Sequence, residues 1–332
     1  MSAAAPGAAK DHTGQAVELI DRGPCPLCGA GAARRELVHD FDRIPVVRCG
    51  ACGFMFAAQV FSAAATARYY AKDWGSLWHR RGQEINARVN AAVLPMLADF
   101  SRIESILDVG CGYGFLLAAL RALQGGAKFL DSLPPRIVGV EVSAGEAEFA
   151  RKTLGVDVRT GLLSAAGLKP GSFDAVLSFE VIEHTLEPRK FVEELVAHVR
   201  PGGTVIIGTD NFGAPPVKKT GAEFPKWIPH THVSLFDAPS LRRVMTEAGL
   251  TITKEASFTT WETALRARRM GARPPRPARE VWNLDHELKS EMNRAPKLVA
   301  ARLFFNPWWL RLTASRRADD GAMMWISGTK QA

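Results

Sequence analysis

Leu107-Asp108-Val109-Gly110-Cys111-Gly112-Tyr113-Gly114 takes an apolar strand into a glycine-rich turn, and the turn opens the helical pattern Phe115–Leu123. Glycines at such a turn let the backbone approach a ligand closely and leave amides exposed at the helix N-terminus. Dinucleotide sites use a glycine turn too, but there a third Gly or Ala follows the second by three residues, which lets helix and strand pack closely. Here that position, 115, is Phe, and the third glycine stands at 114. An acid, Asp108, lies two residues before the first glycine.

Outward from the turn, short apolar runs at Ser105–Val109, Arg136–Glu141, 173–178 and 204–208 alternate with helical patterns at Phe115–Leu123, Ala144–Leu154 and 188–199. This alternation predicts an α/β fold with a doubly wound, mostly parallel sheet. A helix over 240–248, closed by Gly249, and a strand over 250–253 extend the pattern, and 322–327 can return to the sheet as its last, antiparallel strand. The second strand ends in Glu141, where an acid of this fold accepts hydrogen bonds from both hydroxyls of a ribose. Asp108 suits the methionine ammonium group of S-adenosylmethionine (SAM), directly or through water. Leu162 and Leu163 follow a third strand candidate at 156–159 and can wall an adenine. Cys111 belongs to the same turn as Gly110, Gly112 and Gly114, as a small packing residue rather than a nucleophile.

At these residues the chain resembles the class I SAM-dependent methyltransferases, which are Rossmann-like. The resemblance spans roughly 100–260 and is reinforced by Gly171-Ser172-Phe173-Asp174-Ala175-Val176, by Phe179-Glu180-Val181-Ile182-Glu183-His184 with Glu187-Pro188, and by Leu195 with Arg200-Pro201-Gly202-Gly203. It implies SAM as cofactor, with Glu180 beside the turn residues, Glu141, Leu162 and Leu163 in contact with it. It also places the Glu183-His184 pair at the rim of the active site and a His-containing segment, here Pro229-His230-Thr231-His232, ahead of Phe236.

Methyl transfer from a sulfonium is a direct displacement, so the protein must align a nucleophile and, for a hydroxyl or carbon acid, remove a proton. A base should hang over the carboxyl ends of the strands, where open α/β sheets bind ligands. Glu183 and His184 satisfy this after the fourth strand, although His184 can equally order its loop. His230 and His232 satisfy it after the fifth strand and a proline-containing loop over 211–229, and a histidine titrates near neutrality. As a metal pair these two histidines lack a third ligand in the sequence.

Cys25-Pro26-Leu27-Cys28 and Cys49-Gly50-Ala51-Cys52, with twenty residues between them, have the spacing of a structural zinc site. Each pair makes a tight turn with a glycine after its second cysteine, so two turns can offer four thiolates to a closed tetrahedral shell. With Cys52-Gly53-Phe54-Met55-Phe56 and Arg68-Tyr69-Tyr70, the chain resembles zinc-module-fused methyltransferases that modify sugars, surface polysaccharides and other small metabolites, in which the module helps build the acceptor pocket. Tyr69, Tyr70, Trp74 and Trp78 can stack on an acceptor or pack the lead-in onto the main domain.

The 332 residues, 47% hydrophobic, suggest one large domain and a smaller one. The expected division is a disordered tail (1–20), a zinc module (21–60), a helical lead-in (61–100), the SAM-binding domain (101–260), a basic helical insertion or cap (261–318) and a final strand and tail (319–332). No secretory signal or long apolar run is evident, so a cytoplasmic location is expected. The charge of +8 permits an acidic partner without choosing one. Residues 261–317 hold thirteen Lys/Arg against five Asp/Glu, with Phe304, Phe305, Trp308 and Trp309, and Pro307 interrupts any long helix there. This stretch reads as a lid over the acceptor site, with contact to an anionic membrane or lipid-linked substrate, dimerisation or nucleic-acid binding as alternatives. A small-molecule acceptor is the expected substrate. RNA methyltransferases with an N-terminal zinc finger are the rival, but their cysteine pairs are closer and their Asn/Asp-Pro-Pro-aromatic motif is missing. Quinone-precursor O-methyltransferases share the Glu180-Val181-Ile182-Glu183-His184 run but do not explain the cysteines. A regulatory protein that binds SAM without catalysis is a third possibility.

Overall fold

A computed structural model describes residues 9–11, 14–71, 77–100, 103–123, 136–270, 276–286 and 299–331. Its strands are β1 (Leu19–Asp21), β2 (Arg35–Phe41), β3 (Ile44–Cys49), β4 (Met55–Ala57), β5 (Gln59–Phe61), β6 (Ser105–Val109), β7 (Arg136–Glu141), β8 (Asp157–Thr160), β9 (Phe173–Phe179), β10 (Val199–Asp210), β11 (Ser234–Leu235), β12 (Leu250–Phe258) and β13 (Met323–Lys330). Its helices are α1 (Ala63–Ala71), α2 (Leu77–Leu97), α3 (Phe115–Leu123), α4 (Ala144–Leu154), α5 (Pro188–His198), α6 (Pro215–Thr220), α7 (Ala238–Glu247), α8 (Trp261–Met270), α9 (Ala278–Val281) and α10 (Val299–Thr313).

The fold is α/β, with a seven-stranded sheet in the order β12-β13-β10-β9-β6-β7-β8. Strands β6 to β10 are parallel, and β13 runs antiparallel to both its neighbours. Both faces are covered, which is why these strands read as continuous apolar runs rather than as alternating ones. Leu107, Val109, Val176, Val205 and Ile207 pack with α5 and α7, while Ile106, Ala175, Leu177 and Ile206 pack with α2, α3 and α10. Successive residues thus serve opposite cores. Parallel pairing brings the carboxyl ends of β6, β7, β9 and β10 to one edge.

The cysteine segment forms an antiparallel sheet, β11-β4-β3-β2, in which β11 comes from beyond the main sheet's fifth parallel strand, β10. Cys25, Leu27, Cys49, Phe54 and Phe56 share one buried core with Leu107, Ile182 and Phe236. The segment and the main domain are therefore one packed body.

Three expectations are corrected. The disordered segment expected over 1–20 gives way to structure where it is described, since Ala9 is buried and Leu19 opens β1, paired with β5. The loop over 211–229 contains α6. Pro307 does not interrupt its helix, because α10 runs through it. A proline inside a helix costs roughly 3 kcal/mol, and packing of α10 on α2, with Leu310 in the core, offsets it. Of the stacking candidates, Trp74 and the side chains of Tyr70 and Trp78 lie outside the described residues, as does that of Phe304.

At the sheet centre, Gly208 of β10 lies under Trp325, whose buried indole Nε1 donates to Asn90 Oδ1 at 3.0 Å. A Cβ at 208 would fall on that indole and on the Phe179 ring. Gly208→Ala is expected to destabilise the chain by about 1–3 kcal/mol through overpacking. The check is a lowered denaturant midpoint with an unchanged slope.

Candidate active site

The glycine turn is held open by its own backbone. Gly110, Gly112 and Gly114 all have positive φ (77°, 54° and 76°), a region costly to residues with a Cβ. Gly114 lets α3 close onto α4, since a Cβ there would meet that of Ala150 at 2.9 Å. Glu141 locks the turn to β7, accepting from Gly112 N at 2.8 Å through one oxygen and from Ser143 N at 2.8 Å through the other. Gln83 of α2, absent from the sequence reading, reaches over the turn, where its Oε1 accepts from Tyr113 N at 3.0 Å and its Nε2 donates to Glu146 at 3.0 Å. Cys111 packs toward Gly139, and burial pushes its thiol well up, consistent with packing. Leu163 is buried in the core, whereas Leu162 is 65% exposed, so of the two only Leu162 offers an apolar surface.

Asp108 is buried beside this turn, and among the described residues no hydrogen-bond donor reaches its carboxylate. Burial, and then the neighbouring Glu141 charge, hold its pKa up to about 7. A buried acid in this condition favours a cationic ligand group. The backbone cradle, Glu141 and this buried acid are of the kind that fits SAM.

A second group of polar side chains lies farther along the carboxyl edge. Glu180 follows β9 with φ of 57°, a strained conformation for a residue other than glycine. Its carboxylate accepts from Lys226 Nζ at 3.1 Å, and the same ammonium lies 3.7 Å from Asp210 Oδ2. Burial works against the Lys226 charge, but Asp210 and Glu180 outweigh it and raise its pKa. Burial holds Asp210 up to about 7 in spite of that lysine. Glu183 is fully buried and takes a hydrogen bond from Thr209 Oγ1 at 2.8 Å; burial, with the charges of Glu180 and Asp210, pushes its pKa far up.

His184 and His232 meet here, their rings 4.8 Å apart and nearly perpendicular. His184 Nδ1 donates to the Thr231 carbonyl at 3.1 Å, and His232 Nδ1 to the Lys226 carbonyl at 3.1 Å. A carbonyl only accepts, so each Nδ1 carries its proton and Nε2 is the lone-pair nitrogen. Burial lowers the His184 pKa to about 4 and that of His232 well below its usual value. One atom each from Glu183, His184 and His232 lies within 4.8 Å of the others. His230 sits differently, stacked on Trp282 at 5.7 Å and edge-on to Tyr69 at 5.5 Å. The structure thus joins His232 to His184 and Glu183, and sets His230 in an aromatic group that includes a residue of the basic insertion.

The four cysteines converge through matched turns. Gly29 N donates to the Cys25 carbonyl and Gly53 N to the Cys49 carbonyl, both glycines at positive φ. All four sulfurs lie within 4.8 Å of one another, with Cys25–Cys52 and Cys28–Cys49 at 3.6 Å. Tetrahedral zinc with bonds of about 2.3 Å would separate its sulfurs by about 3.8 Å. The cage fits that ion.

Asp108 carries a pH dependence whose sign follows from its raised pKa. Its charge, and with it attraction for an ammonium group, is present above about pH 7 and lost as the pH falls through that value. Calorimetric titration with SAM is expected to show affinity falling by up to about tenfold from about pH 8 to about pH 6 in the wild type. Asp108→Asn should bind weakly at both values.

Compared with known proteins, residues 77–255 match the family described as a methyltransferase domain. The chain is 32% identical over 161 residues to a ubiquinone biosynthesis O-methyltransferase of Chelativorans sp., covering 45% of this chain and 59% of that one. Its counterpart in Thiobacillus denitrificans is 32% identical over 181 residues, covering 51% and 73%. The chain spans about half the length of the curated relatives it matches, between 40% and 59% for three of them. A solved SAM-dependent methyltransferase of Thermotoga maritima aligns with 74% of this chain and 89% of its own at 19% identity, with a TM-score of 0.47. The family match covers more than half of the chain and runs from α2 to β12, taking in the glycine turn, the carboxylate edge and the histidine loop. This chain belongs to the class I SAM-dependent methyltransferases.

Proposed function

We propose that the protein transfers the methyl group of SAM to a hydroxyl oxygen or an acidic carbon of a small molecule such as a sugar, a polysaccharide precursor or another metabolite. The observation that carries this reading is the state of His232. Its Nδ1 proton is committed to the Lys226 carbonyl, which leaves the lone pair on Nε2 as the atom to receive a proton, while burial keeps the ring neutral at rest and weakens it as a base until a neighbouring charge supports the imidazolium. Asp210 Oδ2, 3.7 Å from Nδ1, can stabilise the imidazolium so formed. His184 presents the same tautomer beside it, and its second role is to hold the loop at Thr231. Burial pushes Glu183 toward its protonated form, which argues against it as the group that accepts the proton. Glu180 is paired with Lys226 and contributes charge near the methyl position. His230, with Tyr69 and Trp282, gives the aromatic wall against which an acceptor ring packs.

SAM, when bound, supplies a methyl group on a sulfonium that departs as a neutral thioether. Asp108, Glu141 and the glycine turn bind it, with Leu162 beside the adenine. The ubiquinone-type names of the relatives favour an oxygen acceptor. Cys25, Cys28, Cys49 and Cys52 hold a structural zinc, because four thiolates leave no position for water or substrate. Among the described residues no helix is long and apolar enough to cross a membrane.

Incubation with tritiated SAM and a cell extract, followed by separation into small molecules, lipids, RNA and protein, tests the reading. Label is expected among the small molecules or lipids, and label confined to RNA or protein contradicts it. With the labelled acceptor in hand, His232→Gln should lower kcat by about 10²–10⁴-fold, the usual worth of a positioned base. SAM affinity measured by calorimetry should not change.

A further inference from the structure

Arg22 lies between β1 and the first cysteine turn, far in sequence from the histidines, yet its guanidinium ends directly behind both. Nη1 donates to the Val233 carbonyl. Nη2 donates to the carbonyls of Thr185 at 3.1 Å and Leu186 at 2.8 Å, and to Ser234 Oγ at 2.7 Å. Thr185 and Leu186 follow His184, and Val233 and Ser234 follow His232. Ser234 Oγ completes the link by donating to the Thr185 carbonyl at 2.8 Å. Among the described residues no carboxylate pairs with Arg22, and its Nε is buried without an acceptor. Burial lowers its pKa to about 9, so it remains charged at neutral pH. Apart from the Cys25 sulfur, whose negative charge favours it, this buried charge depends on its hydrogen bonds to offset the cost of leaving water. Its own backbone is fixed on the cysteine side, where Arg22 N donates to the Ala58 carbonyl at 2.9 Å. The guanidinium also lies over the Phe56 ring, 5.7 Å from its centre.

We infer that Arg22 is a positioning residue, through which the four-cysteine segment sets the spacing of the His184 and His232 loops. The inference rests on the reading of His232 as the base, but its test does not need turnover. A planar fork can bind four acceptors on two loops at once, whereas a lysine ammonium, a compact point charge on a flexible stem, cannot reproduce that pattern. Without the clamp the loops separate, water reaches the two rings, and their protonation behaviour changes. The groups facing the rings are Glu180, Glu183, Asp210, Lys226 and His230, with each ring also facing the other, and none of these residues is altered in the variant.

The test is nitrogen NMR of the full chain labelled at histidine, titrated with pH, for wild type, Arg22→Lys and Arg22→Met. Signals are assigned with His184→Gln and His232→Gln. In the wild type both rings should remain the neutral Nδ1–H tautomer down to about pH 5. In Arg22→Lys at least one midpoint should rise by about one unit or more, as expected when a buried imidazole regains water. SAM affinity within a few-fold of wild type shows that the sheet is intact, and if Arg22→Met does not fold, Arg22→Lys decides. Unchanged midpoints and tautomers in a folded Arg22→Lys chain overturn the inference, even if its melting temperature falls. Failure to find methyl transfer would count against the proposed function and leave this result standing.

Discussion

Too many acids at one edge of a sheet is the constraint from which the rest of this structure follows. Parallel strands turn all their carboxyl ends the same way, and β6, β7, β9 and β10 deliver Asp108, Glu141, Glu180 and Asp210 to that edge, with Glu183 in the next turn. Burial of several carboxylates together is unfavourable, and the molecule answers in three ways. Backbone amides of Gly112 and Ser143 satisfy Glu141, Lys226 meets Glu180 and Asp210, and Glu183 is pushed toward its protonated form. Asp108 has none of these answers among the described residues. A donor that carries both a sulfonium and an ammonium supplies positive charge where the protein lacks it. The left-handed backbone of Glu180, which costs on the order of 1–3 kcal/mol, belongs to the same arrangement.

The four-cysteine segment is too small to support a core of its own and borrows one. Its sheet is completed by Ser234-Leu235, and its aromatic residues pack with those of the main domain, Phe54 lying 4.9 Å from Phe236. The cysteine cage braces this shared interior from outside, while β11 and Arg22 carry the brace to the residues that follow His184 and His232. The four-cysteine cage and the two histidine loops are thereby mechanically connected without sharing an atom.

Much of this was legible in the sequence because the relevant residues obey local rules. Runs such as Ser105–Val109 and Arg136–Glu141 are strands buried on both faces and read as unbroken apolar segments. Glycines at 110, 112 and 114 mark a backbone conformation that other residues resist, and paired cysteines advertise their own chemistry. Lys226 and Asp210 stayed hidden for the opposite reason. Asp210 ends a strand too long for the apolar run to show, and Lys226 lies in a loop whose course depends on contacts distant in sequence. Gln83 and Arg22 look like ordinary polar surface residues until tertiary structure places them over the glycine turn and behind the histidines. The helix through Pro307 was misread because packing against α2 overrides a local penalty. His230 and His232, two residues apart, read as equivalent; only the fold sends one to an aromatic wall and the other to the carboxylate edge.

The most direct test of the account is a crystal structure of the full chain grown with S-adenosylhomocysteine, with anomalous data collected at the zinc edge. The account predicts the ribose on Glu141, the amino group beside Asp108, the sulfur directed toward His184 and His232, and a zinc peak at the centre of the four cysteines. A ligand bound elsewhere, or bound with its sulfur turned away from the two histidines, would contradict it.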